Sequence, residues 1–232
     1  MKMRKSTHLW REEDHPRDDW GRFCKSNHLG EKIVDNSRPN DIIILKNEKD
    51  WGFNYIKGNH TREQDLAATN PKYGIEGKKY THNCQRCVST YEARRRGYDV
   101  EAMPYILNGI DTLPYTFHKQ GWMSVYENAQ PVYCVSNSTA EIKTKVEATM
   151  YGFGNGSRAI VAVQWQKKYG GGHVFIAEQV DGKTIFIDPQ NNNMDVSYYF
   201  TMASLEDTFV LRVDNLKFTD NIRKCCKNRG DN

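Results

Sequence analysis

The chain has 232 residues, 38% hydrophobic and 27% charged, which suits one sizeable folded domain with a polar surface rather than a disordered chain. The start, MKMRKSTHLWREEDHP, is basic but holds no apolar core, which argues against a secretory signal; the longest aliphatic run, IIIL at 42–45, is far too short to span a membrane. A net charge of +4 is mild and is only a weak hint of an acidic partner; the partner expected is neither a membrane nor a nucleic acid.

In residues 1–65, charges and turn formers outnumber aliphatics in REEDHPRDDWGRF and NEKDWGFNYIKGNHTREQD, and neither a 3.6 nor a 2.0 period persists. The expectation is an extended polar arm or linker, docking through Trp10, Trp20, Phe23 and Trp51. Regular signals occupy 66–218, and 219–232 (TDNIRKCCKNRGDN) is expected to be a frayed polar tail in which Cys225 and Cys226 have no role. Six cysteines in a chain of this size do not resemble a secreted disulfide framework and are read as thiols from a reducing compartment.

The stretch NCQRCVSTYEARRRG at 83–97 predicts a helix. Asn83 suits the N-cap, and Cys84, Cys87, Val88 and Tyr91 recur at i, i+3, i+4 and i+7. Arg94, Arg95 and Arg96 complement the carbonyl end of the helix dipole, and Gly97 can take the left-handed closing conformation. Cys84 falls in the first turn, where open backbone N–H groups favour a thiolate, and Cys87 lies one turn deeper as a buried neighbour. No second C-x-x-C follows, so a zinc site lacks two of its ligands and no metal or other cofactor is expected. The lead-in YGIEGKKYTHN is polar and glycine-punctuated, unlike the apolar strand before a thioredoxin-type redox pair. A second helix is predicted over STAEIKTKVEATM at 138–150, with Ile142, Val146 and Met150 stacked, and a buried strand over RAIVAVQW at 158–165.

Residues 173–190, HVFIAEQVDGKTIFIDPQ, predict a hairpin turning at Asp181-Gly182. A two-residue turn pairs Val180 with Lys183 and sets His173 opposite Gln190 and Asp188 opposite Phe175. His173, Asp188 and Gln190 then share one face, with Asp188 diagonal to His173 and within side-chain reach. The three glycines at 170–172 leave the approach to the imidazole open. Pro189 ends the ladder, and FVLRVDNL at 209–216 predicts a further strand. Trp122, Tyr133 and Trp165 are expected in the core.

A thiol at a helix N-terminus, a histidine to deprotonate it and a carboxylate to orient the histidine form a known catalytic logic. The segments NCQRCVSTYEARRRGYDVEAMP, GSRAIVAVQW and GGGHVFIAEQVDGKTIFIDPQ resemble the papain-fold toxin group, glutamine deamidase-like domains of bacterial polymorphic toxins that also occur in phage minor head proteins and mobile elements. The likeness runs from about residue 70 to 216, and NC…GHVF…DPQ is its most specific part. The leader HPRDDWGRF is also similar to linkers of phage structural proteins. The resemblance implies an α+β, papain-like fold, with an N-terminal catalytic helix packed on an antiparallel β-sheet. It puts the nucleophile on Cys84, the base on His173 and the orienting carboxylate on Asp188, with Asn83, Cys87 and Gln190 supporting the site or meeting substrate.

The chain departs from the peptidase branch. It lacks the C-G-[SA]-C-[WY] signature, and no glutamine lies within about eighteen residues before Cys84 to supply a side-chain oxyanion donor, leaving that task to backbone N–H groups. Three functions remain open: deamidation of a glutamine side chain in a protein substrate, peptide or transglutaminase-type acyl transfer by the same residues, or a non-catalytic phage or mobile-element module. The implied partners are a glutamine-bearing protein substrate and an immunity protein. The implied location is cytoplasmic, in a bacterium or in a target cell after delivery, with a phage association also admitted.

Overall fold

The computed structural model describes residues 48–106, 113 and 121–231. Of the proposed arm anchors, Trp10, Trp20 and Phe23 lie outside the described residues, while Trp51 is buried in the core. Helix α1 (Arg62–Thr69) opens with a capping box: Thr61 accepts from the Gln64 N–H, and the Gln64 side chain accepts from the Thr61 N–H. The boundary expected at 65/66 therefore falls inside a helix. Asp65 is buried against Arg94 and Arg95, so this end of the expected arm belongs to the domain.

The one-turn α2 (Lys78–Thr81) leads into α3 (Cys84–Arg95), which ends in the predicted way, Gly97 taking φ +96°. The apolar stripe is buried as expected, but every residue from Cys84 to Arg94 is buried as well. The arginine run is thus more than a complement to the helix dipole. Arg96 and Arg158 both bind Glu92, at 2.8 and 2.7 Å, and Arg96 also reaches Glu48 at 2.8 Å. Burial opposes the charge on Glu92, yet Arg158 and Arg96 hold its carboxyl below the usual carboxylate range. Glu92→Gln leaves two buried guanidinium groups without their shared anion, and should cost about 3 kcal/mol in urea unfolding.

Strands β1 (Val100–Ala102) and β2 (Val132–Tyr133) precede α4 (Thr139–Phe153), which starts at Ser138, the residue that accepts from the Glu141 N–H, and ends at Gly154 with φ +89°. The main sheet adds β3 (Arg158–Trp165), β4 (Gly172–Val180), β5 (Lys183–Ile187) and β6 (Ala203–Arg212), in the order β2-β6-β3-β4-β5, every neighbour antiparallel. Alternation along β3 builds two layers. Ile160 and Ala162 join the cluster of Val88 and Tyr91 from α3, whereas Ala159, Val161 and Val163 join Ile142, Val146 and Met150 from α4. The fold is α+β, with helices packed on an antiparallel sheet as expected.

Three expectations are corrected. The last strand of the sheet is β6, not 209–216: its first half pairs with β3 across a register shift between Val163 and Trp165, and the exposed Glu206 and Asp207 hide its period. The segment after Thr219 is not frayed. It forms a 3-10 helix, Asp220–Lys224, then β7 (Cys226–Asn228) pairs with β1, burying Ile222, Cys225 and Cys226. Tyr133 is not core but 65% exposed on the edge strand, and Trp165 is only partly buried; Trp122 is buried as expected. Among the described residues no helix is long and apolar enough to cross a membrane.

Candidate active site

The hairpin sets half of the site. Asp181 and Gly182 take φ +48° and +78°, the left-handed pair of a type I′ turn, and the ladder runs from Val180↔Lys183 to Ile176↔Ile187 in the predicted register. It then stops. Instead of facing Phe175, Asp188 bridges Asn193 through both backbone groups, and the expected His173–Gln190 pairing does not form, because Pro189 carries no N–H to continue the ladder. The side chains still meet: His173 Nε2 lies 2.9 Å from Asp188 Oδ2, with Asp188 almost wholly buried.

Cys84 is the first residue of α3, and its thiol adjoins the His173 imidazole closely enough to favour the protonated ring. With Nε2 engaged by Asp188, Nδ1 is the ring nitrogen left for the sulfur. Burial alone would lower the His173 pKa, but the Cys84 and Asp188 charges and their hydrogen bonds outweigh it, and the imidazole is pushed up to about 10. Cys87, one turn on, is completely buried. Burial, then the charge of Cys84, raise its thiol well above the ordinary cysteine value. Both are free thiols. Among the described residues no group of three or more His, Cys, Asp or Glu side chains could hold a metal ion.

Asn83 occupies the N-cap position of α3, but its side chain does not cap the helix. It exchanges hydrogen bonds with Asn70 and donates to the Met103 carbonyl at 3.1 Å, tying α3 to the end of α1. The cap comes from Gln190 instead. Turned so that its oxygen faces the two donors, the Gln190 carboxamide accepts from Cys84 N at 2.8 Å and Asn83 N at 3.0 Å. The Gln190 backbone is fixed from both ends: its N–H donates to Asp188 Oδ1 at 2.9 Å, and its carbonyl accepts from Asn70 at 2.7 Å. The two N–H groups at the nucleophile end of α3 therefore converge on one amide oxygen.

Aromatic rings surround the imidazole. Trp165 stacks near it at 6.0 Å and Tyr199 meets it edge-on at 5.5 Å. The Tyr199 hydroxyl donates to Asp188 Oδ2 at 2.9 Å and accepts from Asn191 at 3.1 Å. Tyr199, Asn191 and Asn70 escaped the sequence reading. Asn191 directly follows the aspartate-proline-glutamine run, and that adjacency was a signal. Asn70 and Tyr199 are brought in by tertiary packing, which no spacing in the sequence announces.

Residues 82–192, just under half of the chain, match the family model described as papain fold toxin 1, glutamine deamidase. Among solved structures, the chain is similar to the Salmonella effector SpvD, G161 variant, with 15% sequence identity and a TM-score of 0.44, covering 72% of this chain and 84% of that one. A search among curated proteins returned no match. The segment 82–192, which carries Cys84, His173 and Asp188, is thus similar to the papain-fold toxin, glutamine deamidase family.

Proposed function

We propose that this protein is a cysteine-dependent amidohydrolase that deamidates a glutamine side chain in a target protein, acting as a toxin or effector. The observation that carries the reading is the convergence of Cys84, His173 and Asp188 at the start of α3, beside two N–H groups that already hold a carboxamide oxygen. His173 takes the Cys84 proton, and Asp188 fixes the tautomer and stabilises the imidazolium. The thiolate attacks the glutamine carboxamide carbon, and the oxyanion replaces the Gln190 oxygen on the Cys84 and Asn83 N–H groups. The imidazolium gives its proton to the nitrogen, ammonia leaves and a thioester remains. His173 then deprotonates water, which cleaves the thioester and leaves glutamate.

The family match to residues 82–192 supports the reaction class. The experiment is a proteome treated with the wild-type chain or with Cys84→Ala, followed by mass spectrometry. The expected result is a set of glutamine-to-glutamate conversions present only with wild type. New peptide termini would instead indicate a peptidase, cross-linked or amine-substituted glutamines an acyl transferase, and no change a binding module.

Turnover also has a predicted alkaline limit. The imidazolium is the acid that releases ammonia, and the His173 pKa is raised above its ordinary value, so the charged form persists at neutral pH and is lost as pH rises through about 10. A pH series of kcat should fall there, and a fall near the ordinary histidine value of about 6.5 would contradict the ion pair.

A further inference from the structure

We propose that Tyr199 is a positioning residue for the His173–Asp188 couple, and that Asn191 sets the direction in which the Tyr199 hydroxyl donates. The inference rests on the reading that Cys84, His173 and Asp188 act together, and extends it to a residue beyond the 82–192 segment that matches the family.

Asp188 is held by three donors. Oδ2 accepts from His173 Nε2 and from the Tyr199 hydroxyl, each at 2.9 Å, and Oδ1 accepts from the Gln190 N–H at 2.9 Å. With His173 and Gln190 alone, each oxygen would have one donor and the carboxylate could pivot between them. The third bond pins Oδ2 in line with the imidazole.

A phenol has a single hydrogen and can also accept, so its direction has to be set by a neighbour. The Asn191 side-chain nitrogen, 3.1 Å from the Tyr199 oxygen, can only donate. The phenol hydrogen must therefore go to Asp188, which as a carboxylate can only accept. Reversing the Asn191 amide would place two acceptors around one hydrogen and leave Asp188 Oδ2 facing a lone pair. The chosen orientation leaves Asn191 Oδ1 buried without a hydrogen-bond partner, so the arrangement bears a local penalty to keep the donor pointing at the phenol. Burial and the Asp188 charge hold the Tyr199 hydroxyl protonated far above the ordinary phenol range, so it remains a donor wherever the enzyme works.

The ring is fixed independently of its hydroxyl. It packs edge-on to His173, Phe175 and Trp165 at 5.5, 5.5 and 5.6 Å. Tyr199→Phe should therefore keep the packing and remove one hydrogen bond only. The titratable groups that face Asp188 are His173 from β4, Tyr199 from the 3-10 helix Ser197–Met202 and Cys87 from α3, with Cys84 beside His173. Of these, Cys84 and His173 exchange protons in the proposed reaction, and His173 is the one hydrogen-bonded to Asp188.

The test uses NMR titration of the His173 imidazole in the full chain, together with turnover. In Tyr199→Phe the carboxylate loses its alignment, so the His173 midpoint should fall by about one pH unit while thermal stability is nearly unchanged. Where a glutamine substrate is in hand, kcat should drop by roughly tenfold with KM unmoved. Asn191→Ala keeps both ring and hydroxyl but frees the hydrogen, and should lower the same midpoint by a smaller amount. A midpoint that stays fixed or rises in both variants would overturn the proposal, because the hydroxyl would then be filling space or merely sharing the Asp188 charge. A midpoint that falls in a protein that converts no glutamine would uphold the positioning role and remove the deamidase reading.

Discussion

Cys84→Ala is expected to abolish both turnover and labelling by a thiol-reactive probe at neutral pH, whereas Cys87→Ala should retain both. The two cysteines are three residues apart on one face of α3, but their surroundings differ. Cys84 is at the helix start, where dipole and N–H groups favour negative charge, and its sulfur adjoins an imidazole held by a buried carboxylate. Cys87 is sealed one turn deeper, and burial pushes its thiol well up, so it is a small apolar side chain in practice. Removing it should cost on the order of 1 kcal/mol in stability and little activity. Mass mapping of the labelled peptide decides the matter. Full labelling in Cys84→Ala that vanishes in Cys87→Ala would reverse the assignment.

Asp188→Asn is expected to lower kcat by about a thousandfold while leaving the fold intact, measured as steady-state rates beside thermal melts. The substitution is nearly isosteric, but an amide can turn its NH2 toward His173 Nε2 and stabilise the wrong tautomer. It also removes the charge that holds the imidazolium, and one oxygen fewer then serves the Gln190 N–H and the Tyr199 hydroxyl. A variant with unaltered kcat would show that His173 does not depend on this carboxylate.

The local elements were legible because each carries its own signal. Ser138 and Gly154 frame α4, the Asp181-Gly182 pair sets a hairpin register that holds for five successive pairs, and Cys84 begins its helix at the predicted residue. The reading lost ground where tertiary structure decides. The helix cap came from Gln190, more than a hundred residues away in sequence, and not from Asn83. The arginines after Tyr91 were read only as a complement to the helix dipole, yet Arg94 and Arg96 are buried, paired with Asp65 and Glu48 from earlier in the chain and with Glu92 one turn back on the same helix. Cys225 and Cys226 looked like part of a loose tail because the residues around them are polar; pairing of β7 with β1 satisfies the backbone and buries both. The His173–Asp188 contact was anticipated from register, although Asp188 reaches it from a turn and not from a continuing strand.

The central claim is that His173, held by Asp188, activates Cys84 as the nucleophile, and alkylation kinetics test it without knowledge of the target protein. The rate of Cys84 modification by iodoacetamide, followed by intact mass at mildly acidic pH, should be fast in the wild-type chain and at least roughly tenfold slower in His173→Ala, where no imidazolium stabilises the sulfur. Equal rates in the two proteins, each rising only as pH approaches the ordinary thiol range near 8.5, would contradict the account.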